Sequence, residues 1–230
     1  MLRPKIPPAT YADIEALPPI LVGEIVFGAL HAYPRPAPRH GVAAGELQFE
    51  LTGPFRRGRG GPGGWIFMVE PGLHLGPHVV VPDIAGWRRE RLTPFPETAY
   101  IETAPDWLCA VLSPATQALD RTDKLTVYAA SGVGHCWYVD PIARTLEVFA
   151  RTETKWLLAA TFKNDDPATR AAVRGAHVPA RRAVAGRGRV GSVQSGVRFR
   201  RSALPITLTD DSDIAAAASM ALAASAVHAQ

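Results

Sequence analysis

Residues 79–87 read VVVPDIAGW, and residues 107–114 read WLCAVLSP. Both begin as short apolar runs rich in β-formers, so each predicts a buried strand. Pro82 lies inside the first run, where it removes one ladder donor and predicts an edge position or a bulge. Asp83 follows it, a carboxylate among residues that should be buried. That placement is unfavourable unless the charge is paired or bound to a cation. Taken singly, a strand aspartate is more often a cap or an ion-pair partner than a ligand. Residues 118–131 then predict a helix, with Leu125, Tyr128 and Ala129 on its inward face and Gly132 as its stop. Lys124 is read onto the polar face of that helix, where a lysine is normally solvated. Two adjacent strands with a helix against them predict an α/β fold, a mixed central sheet flanked by helices.

Outward from this centre the pattern is consistent. Thr10–Leu17 predicts a short capped helix, with Asp13 placed to bond back to the cap and Pro18 and Pro19 ending it. Residues 22–33 (VGEIVFGALHAY) predict a strand or bent hairpin turning at Gly28. Residues 39–53 predict an amphipathic helix with Val42, Leu47 and Leu51 inward. RRGRGGPGG at 56–64 lacks the GK[ST] ending of a phosphate cradle and reads as a loop. Trp65–Val69 is a further strand. Cys136–Val139 and Leu146–Phe149 flank a turn-rich bridge, Asp140–Arg144, and Lys155–Phe162 adds another strand.

Composition bounds the rest. The chain has 230 residues, and its 47% hydrophobic and 20% charged residues match a globular protein rather than a disordered one. No apolar run approaches the 18 residues of a membrane span. MLRPKIPPAT has no apolar core of a secretory signal. The two cysteines, Cys109 and Cys136, lack metal-site spacing, so a reducing, cytoplasmic setting is expected. Charge is uneven. Residues 1–167 carry 16 Lys and Arg against 18 Asp and Glu, residues 168–202 carry nine Arg and no acid, and residues 203–230 carry three Asp. We therefore expect a folded domain over 1–167 and a separate segment over 168–230. Its Arg-, Ala- and Gly-rich part has no period of 2 or 3.6. It reads like out-of-frame translation of a GC-rich gene or, alternatively, a basic arm for phosphates.

Several chemistries are missing from the chain. It has no GxSxG, HExxH, paired CxxC or nucleotide fingerprint. The seven histidines are scattered, and His74 and His78 lack a third ligand nearby.

The strings VPDIAGWRRERL, APDWLCAVLSPAT and LDRTDKLTVYAASGVGHCWYVDPIARTLEVF, in that order and spacing, resemble the Uma-two family of restriction endonucleases, within the PD-(D/E)XK nuclease superfamily. The resemblance runs from about Tyr11 to Asp166, and includes GEI at Gly23–Ile25 and PRH at Pro38–His40. It implies a restriction-endonuclease-like fold and a metal-dependent DNA endonuclease. In that superfamily two carboxylates hold Mg²⁺, with Mn²⁺ as a substitute, beside the scissile phosphate, and a lysine positions water or stabilises the transition state. Carried over by motif, Asp83 is a metal ligand and Lys124, displaced onto the helix, is the lysine. Glu24 is a further catalytic candidate and His40 a lesser one. DNA is the implied partner, and a homodimer would suit cleavage of both strands.

One departure matters most. The second carboxylate of the family pattern falls on Ala110, whose methyl group cannot ligate a hard cation. The resemblance therefore implies impaired activity, with a catalytically inactive nuclease-fold protein that binds nucleic acid or a partner as the alternative. Acids that could stand in are Glu24, Asp120, Asp123 and Asp106. The last lies about 13 Å along its strand at the usual rise. Arginines 56, 57 and 59, and 88, 89 and 91, are candidate phosphate contacts.

Overall fold

The computed structural model describes residues 7–163 apart from Gly60 and Thr154; the expectations for 168–230 lie outside the described residues. The chain opens with α1 (Tyr11–Glu15), whose Asp13 carboxylate accepts the Thr10 backbone N–H at 2.7 Å. β1 (Leu21–Val26) and β2 (Ala29–Pro34) follow as an antiparallel hairpin. Both turn residues have positive φ, 49° at Phe27 and 76° at Gly28, as the right-handed twist of a two-residue hairpin requires. α1 packs on β1 at Gly23, where an added Cβ would lie 2.6 Å from Leu17 Cδ1. The missing side chain at 23 lets α1 lie close over the strand that carries Glu24.

α2 (Pro38–Leu51) is the predicted amphipathic helix with one correction: Val42 points outward. The buried stripe is Ala44, Leu47 and Leu51, and Val42 lies two residues, about 200° of helical rotation, from Ala44.

The run 79–87 is also corrected. It is two strands in two sheets, β5 (His78–Val80) and β6 (Ile84–Arg88), broken at Pro82–Asp83. Proline ends one ladder and the chain changes sheet, so Asp83 stands where backbone pairing is interrupted. β5 joins β4 (Leu73–Leu75), β1 and β2 in a four-stranded sheet of order β2-β1-β5-β4. β6 lies in a six-stranded sheet with β3 (Trp65–Val69), β7 (Trp107–Val111), β8 (His135–Asp140), β9 (Thr145–Thr152) and β10 (Lys155–Lys163). Its order is β10-β9-β8-β7-β6-β3, antiparallel except for the parallel pair β7 and β8.

The crossover between β7 and β8 is helical over residues 117–130. It comprises α3 (Gln117–Leu119), a π turn at Asp120–Lys124 and α4 (Leu125–Ala130). β7 is buried on both sides and alternates strictly. Trp107, Cys109 and Val111 join the core under α2. Leu108 and Ala110 join the core on the opposite face, with Val127, Tyr128 and Tyr138. Period-2 alternation thus sends residue 110 toward the crossover helix.

Candidate functional site

β6 runs antiparallel to β7, so the start of β6 and the end of β7 share one edge of the sheet. β8, parallel to β7, ends there too. Ligand clefts of α/β sheets form at such carboxyl ends. Here the cleft is a cavity of about 370 Å³ whose lining includes Glu24, His40, Asp83, Ser113, Asp120 and Lys124, a volume in the range of small-molecule sites.

Asp83 is held from two directions. Its Oδ2 accepts the Val111 backbone N–H at 2.7 Å, and its Oδ1 lies 3.2 Å from Nε2 of His40, in the first turn of α2. Burial pushes the Asp83 carboxyl up to about 6, against the lowering influence of His40, the Val111 N–H and Lys124.

The second group is drier. Glu24, Asp120 and Lys124 are the buried charged residues among those described. Lys124 Nζ lies 2.9 Å from Glu24 Oε1 and 2.8 Å from Asp120 Oδ1. Glu24 Oε1 also accepts the Val81 N–H at 2.7 Å. The Tyr138 hydroxyl donates to the Asp120 backbone carbonyl. Burial works against the Lys124 charge, but Tyr128, Glu24 and Asp120 outweigh it and hold the ammonium well above its ordinary value. The Tyr128 hydroxyl is buried beside this group without a hydrogen-bond partner.

Asp83, Lys124 and Glu24 therefore meet in one cleft, as two sets rather than one. Asp120 joins them, while Asp123 is exposed. Asp106 is at the wrong end: its carboxylate accepts the Arg88 N–H at 2.8 Å and pairs with Arg91, beyond the far end of β6. Lys124 is not on a solvated face. Asp120, Lys124 and Tyr128 recur every four residues, one face of a helix, and that spacing could have shown Lys124 to share the buried face of Tyr128. The anchoring Val111 N–H had no sequence signal, being backbone. Ala110 is one peptide bond from that N–H and is buried.

The Mg²⁺ centre of two carboxylates does not fit these residues. Position 110 offers no oxygen, Glu24 and Asp120 are engaged by Lys124, and both Asp83 oxygens have donors. Among the described residues no group of three or more His, Cys, Asp or Glu side chains is arranged for a metal. None of the described helices is long and apolar enough to cross a membrane.

The profile of the Uma2 family, described as "Putative restriction endonuclease", matches residues 9–181. A crystal structure described as a putative nuclease belonging to DUF820, from Anabaena variabilis ATCC 29413, superposes with a TM-score of 0.54 at 23% identity, covering 66% of this chain and 85% of that one. No curated protein matches the chain. The mixed sheet with its helices has the restriction-endonuclease-like fold of that structure. The chain belongs to the Uma2 family of nuclease-like proteins.

Proposed function

We propose that this chain binds the phosphodiester backbone of DNA in the cleft at the ends of β6, β7 and β8, and that its metal-dependent hydrolysis is impaired. One observation carries the reading. The position beside the Asp83 anchor is Ala110, and the neighbouring acids Glu24 and Asp120 are engaged by Lys124. A cation held by a single carboxylate is weakly bound, because Mg²⁺ needs a near-octahedral set of oxygens and sheds water reluctantly. The cleft lining carries four acids against Arg35, Arg39 and Lys124, so bulk charge does not draw phosphate in and any affinity is local. Residues 168–230 are read as a separate segment, although the family profile runs on to residue 181. A homodimer supplies the second site that double-strand cleavage needs, and buried free thiols at Cys109 and Cys136 suit a reducing compartment.

Nicking of supercoiled plasmid with Mg²⁺ or Mn²⁺, against an EDTA control, tests this. The native chain is expected to cut little or not at all. Ala110→Glu should raise cutting by about 10²–10³, the usual weight of one charge-stabilising contact in such a site. Asp83→Ala in that background should remove the gain. Strong native cleavage that survives Asp83→Ala overturns the assignment. Lys124→Ala is a poor probe, since it strips the partner from two buried carboxylates.

A second reading is a nuclease-fold protein that binds nucleic acid without cutting it. The full engagement of Lys124 by Glu24 and Asp120 favours it. Under that reading duplex binding, followed by fluorescence anisotropy in EDTA, equals that in Mg²⁺, and Ala110→Glu stays inactive.

A further inference from the structure

The first turn of α2 reaches over the end of the six-stranded sheet at His40. Its Nε2 lies 2.8 Å from the carbonyl oxygen of Val111 and 3.2 Å from Oδ1 of Asp83. Both neighbours are oxygens, so Nε2 carries a hydrogen whether the ring is neutral or cationic. Val111 also donates its own N–H to Oδ2 of Asp83. The side chains are 12% and 16% exposed, so the contact is nearly dry but borders the cavity.

An oxygen-ligated cation and an N–H donor compete for the same lone pairs. A cation ligated by Oδ1 of Asp83 at about 2.0–2.1 Å takes the lone pair that the Nε2–H of His40 now engages. A ring nitrogen that carries its hydrogen cannot ligate a metal through that atom. We propose that His40 is a latch on the Asp83 site: its Nε2–H engages Oδ1 of Asp83 and the Val111 carbonyl oxygen, so that a cation binds at Asp83 only by displacing the imidazole. The inference rests on the reading of the cleft as a nuclease centre, and it makes His40 a positioning residue rather than a ligand.

Its test needs no DNA and no turnover, so a failure of the plasmid assay and a failure of the latch are separable. Mn²⁺ is titrated into the full-length chain, and loss of the free-ion electron paramagnetic resonance signal gives the dissociation constant. The comparison uses Ala110→Glu, then Ala110→Glu/His40→Ala and Ala110→Glu/His40→Gln, with circular dichroism as the folding control. The alanine variant should bind Mn²⁺ at least tenfold more tightly than Ala110→Glu alone, a factor worth 1.4 kcal/mol. Glutamine, whose amide can donate to the same oxygens, should return the constant toward that of Ala110→Glu. If Ala110→Glu does not fold, His40→Ala is compared with the native chain at millimolar Mn²⁺, with the same sign expected. Unchanged or weaker binding on removing His40 overturns the proposal, and weaker binding would make His40 a ligand. A gain that glutamine does not reverse overturns it too, because ring bulk rather than hydrogen bonding would then be responsible.

Discussion

Two clusters of ionisable groups lie in one cleft and solve burial differently. Around Lys124 two carboxylates surround one ammonium, and all three side chains are 5% exposed or less. Around Asp83 a single carboxylate meets a histidine and a backbone N–H at the cavity wall, and burial drives its pKa up to about 6. The first cluster is interlocked, and its ammonium is held well above its ordinary value. The second is under-compensated, so its carboxylate is held at a disadvantage. A group kept uncomfortable at a cavity wall is the usual mark of a binding or reacting position, and a matched buried group the mark of a structural one. The contrast separates the lysine that the family resemblance makes catalytic from the aspartate that the cleft presents.

Breaking the interlocked cluster should have the largest effect. Lys124→Met leaves Glu24 and Asp120 buried without their cation and is expected to lower folding stability by about 3–5 kcal/mol, read as a fall in the urea midpoint. A loss below about 1 kcal/mol would mean that the cluster is hydrated and the contrast false.

The Asp83 cluster should respond with the opposite sign. Its folded pKa is raised from 3.8 to about 6. The folded state therefore holds the proton more tightly than the unfolded chain, and stability falls as pH rises from about 4 through about 6. Ionisation costs on the order of 2–3 kcal/mol at 1.36 kcal/mol per pH unit. Asp83→Asn should flatten the dependence and leave the protein more stable at pH 7, as urea unfolding between pH 4 and 8 would show. A variant that is less stable at pH 7 and keeps the native slope would assign the slope elsewhere.

The smallest effect should come from the rim. Arg121, next to Asp120 in sequence, pairs with Glu147 at 2.6 Å, but its side chain is 37% exposed. Arg121→Ala should cost less than about 1 kcal/mol, because solvent screens the pair. A loss as large as that of Lys124→Met would show that exposure does not set the difference.

Much of the fold could be read along the chain because it rests on local rules. Apolar runs rich in β-formers marked β3, β7, β8, β9 and β10, Gly28 marked the turn of the first hairpin, and Gly132 ended the crossover helix with φ of 85°. The misreadings arose where a local rule had two solutions. VVVPDIAGW is a legitimate single strand by pattern, and only the second sheet, which needs β5 as a partner for β1, explains the break at Pro82–Asp83. Val42 is as apolar as Leu47, and the choice between them came from which side of α2 meets the sheet.

The candidate site divides in the same way. The covalent chain sets the identities: a carboxylate after Pro82, a lysine four residues after Asp120, an alanine at 110 and a glutamate after Gly23. These are covalent facts, and with them comes the missing oxygen at position 110. The pairings come from how the strands and helices pack. Glu24 and Lys124 stand 100 residues apart yet lie within 2.9 Å, and His40 reaches Asp83 because α2 folds across the end of β7. A charge has no partner until packing removes water from around it, so which carboxylate is neutralised and which faces the cavity is a property of the assembled core.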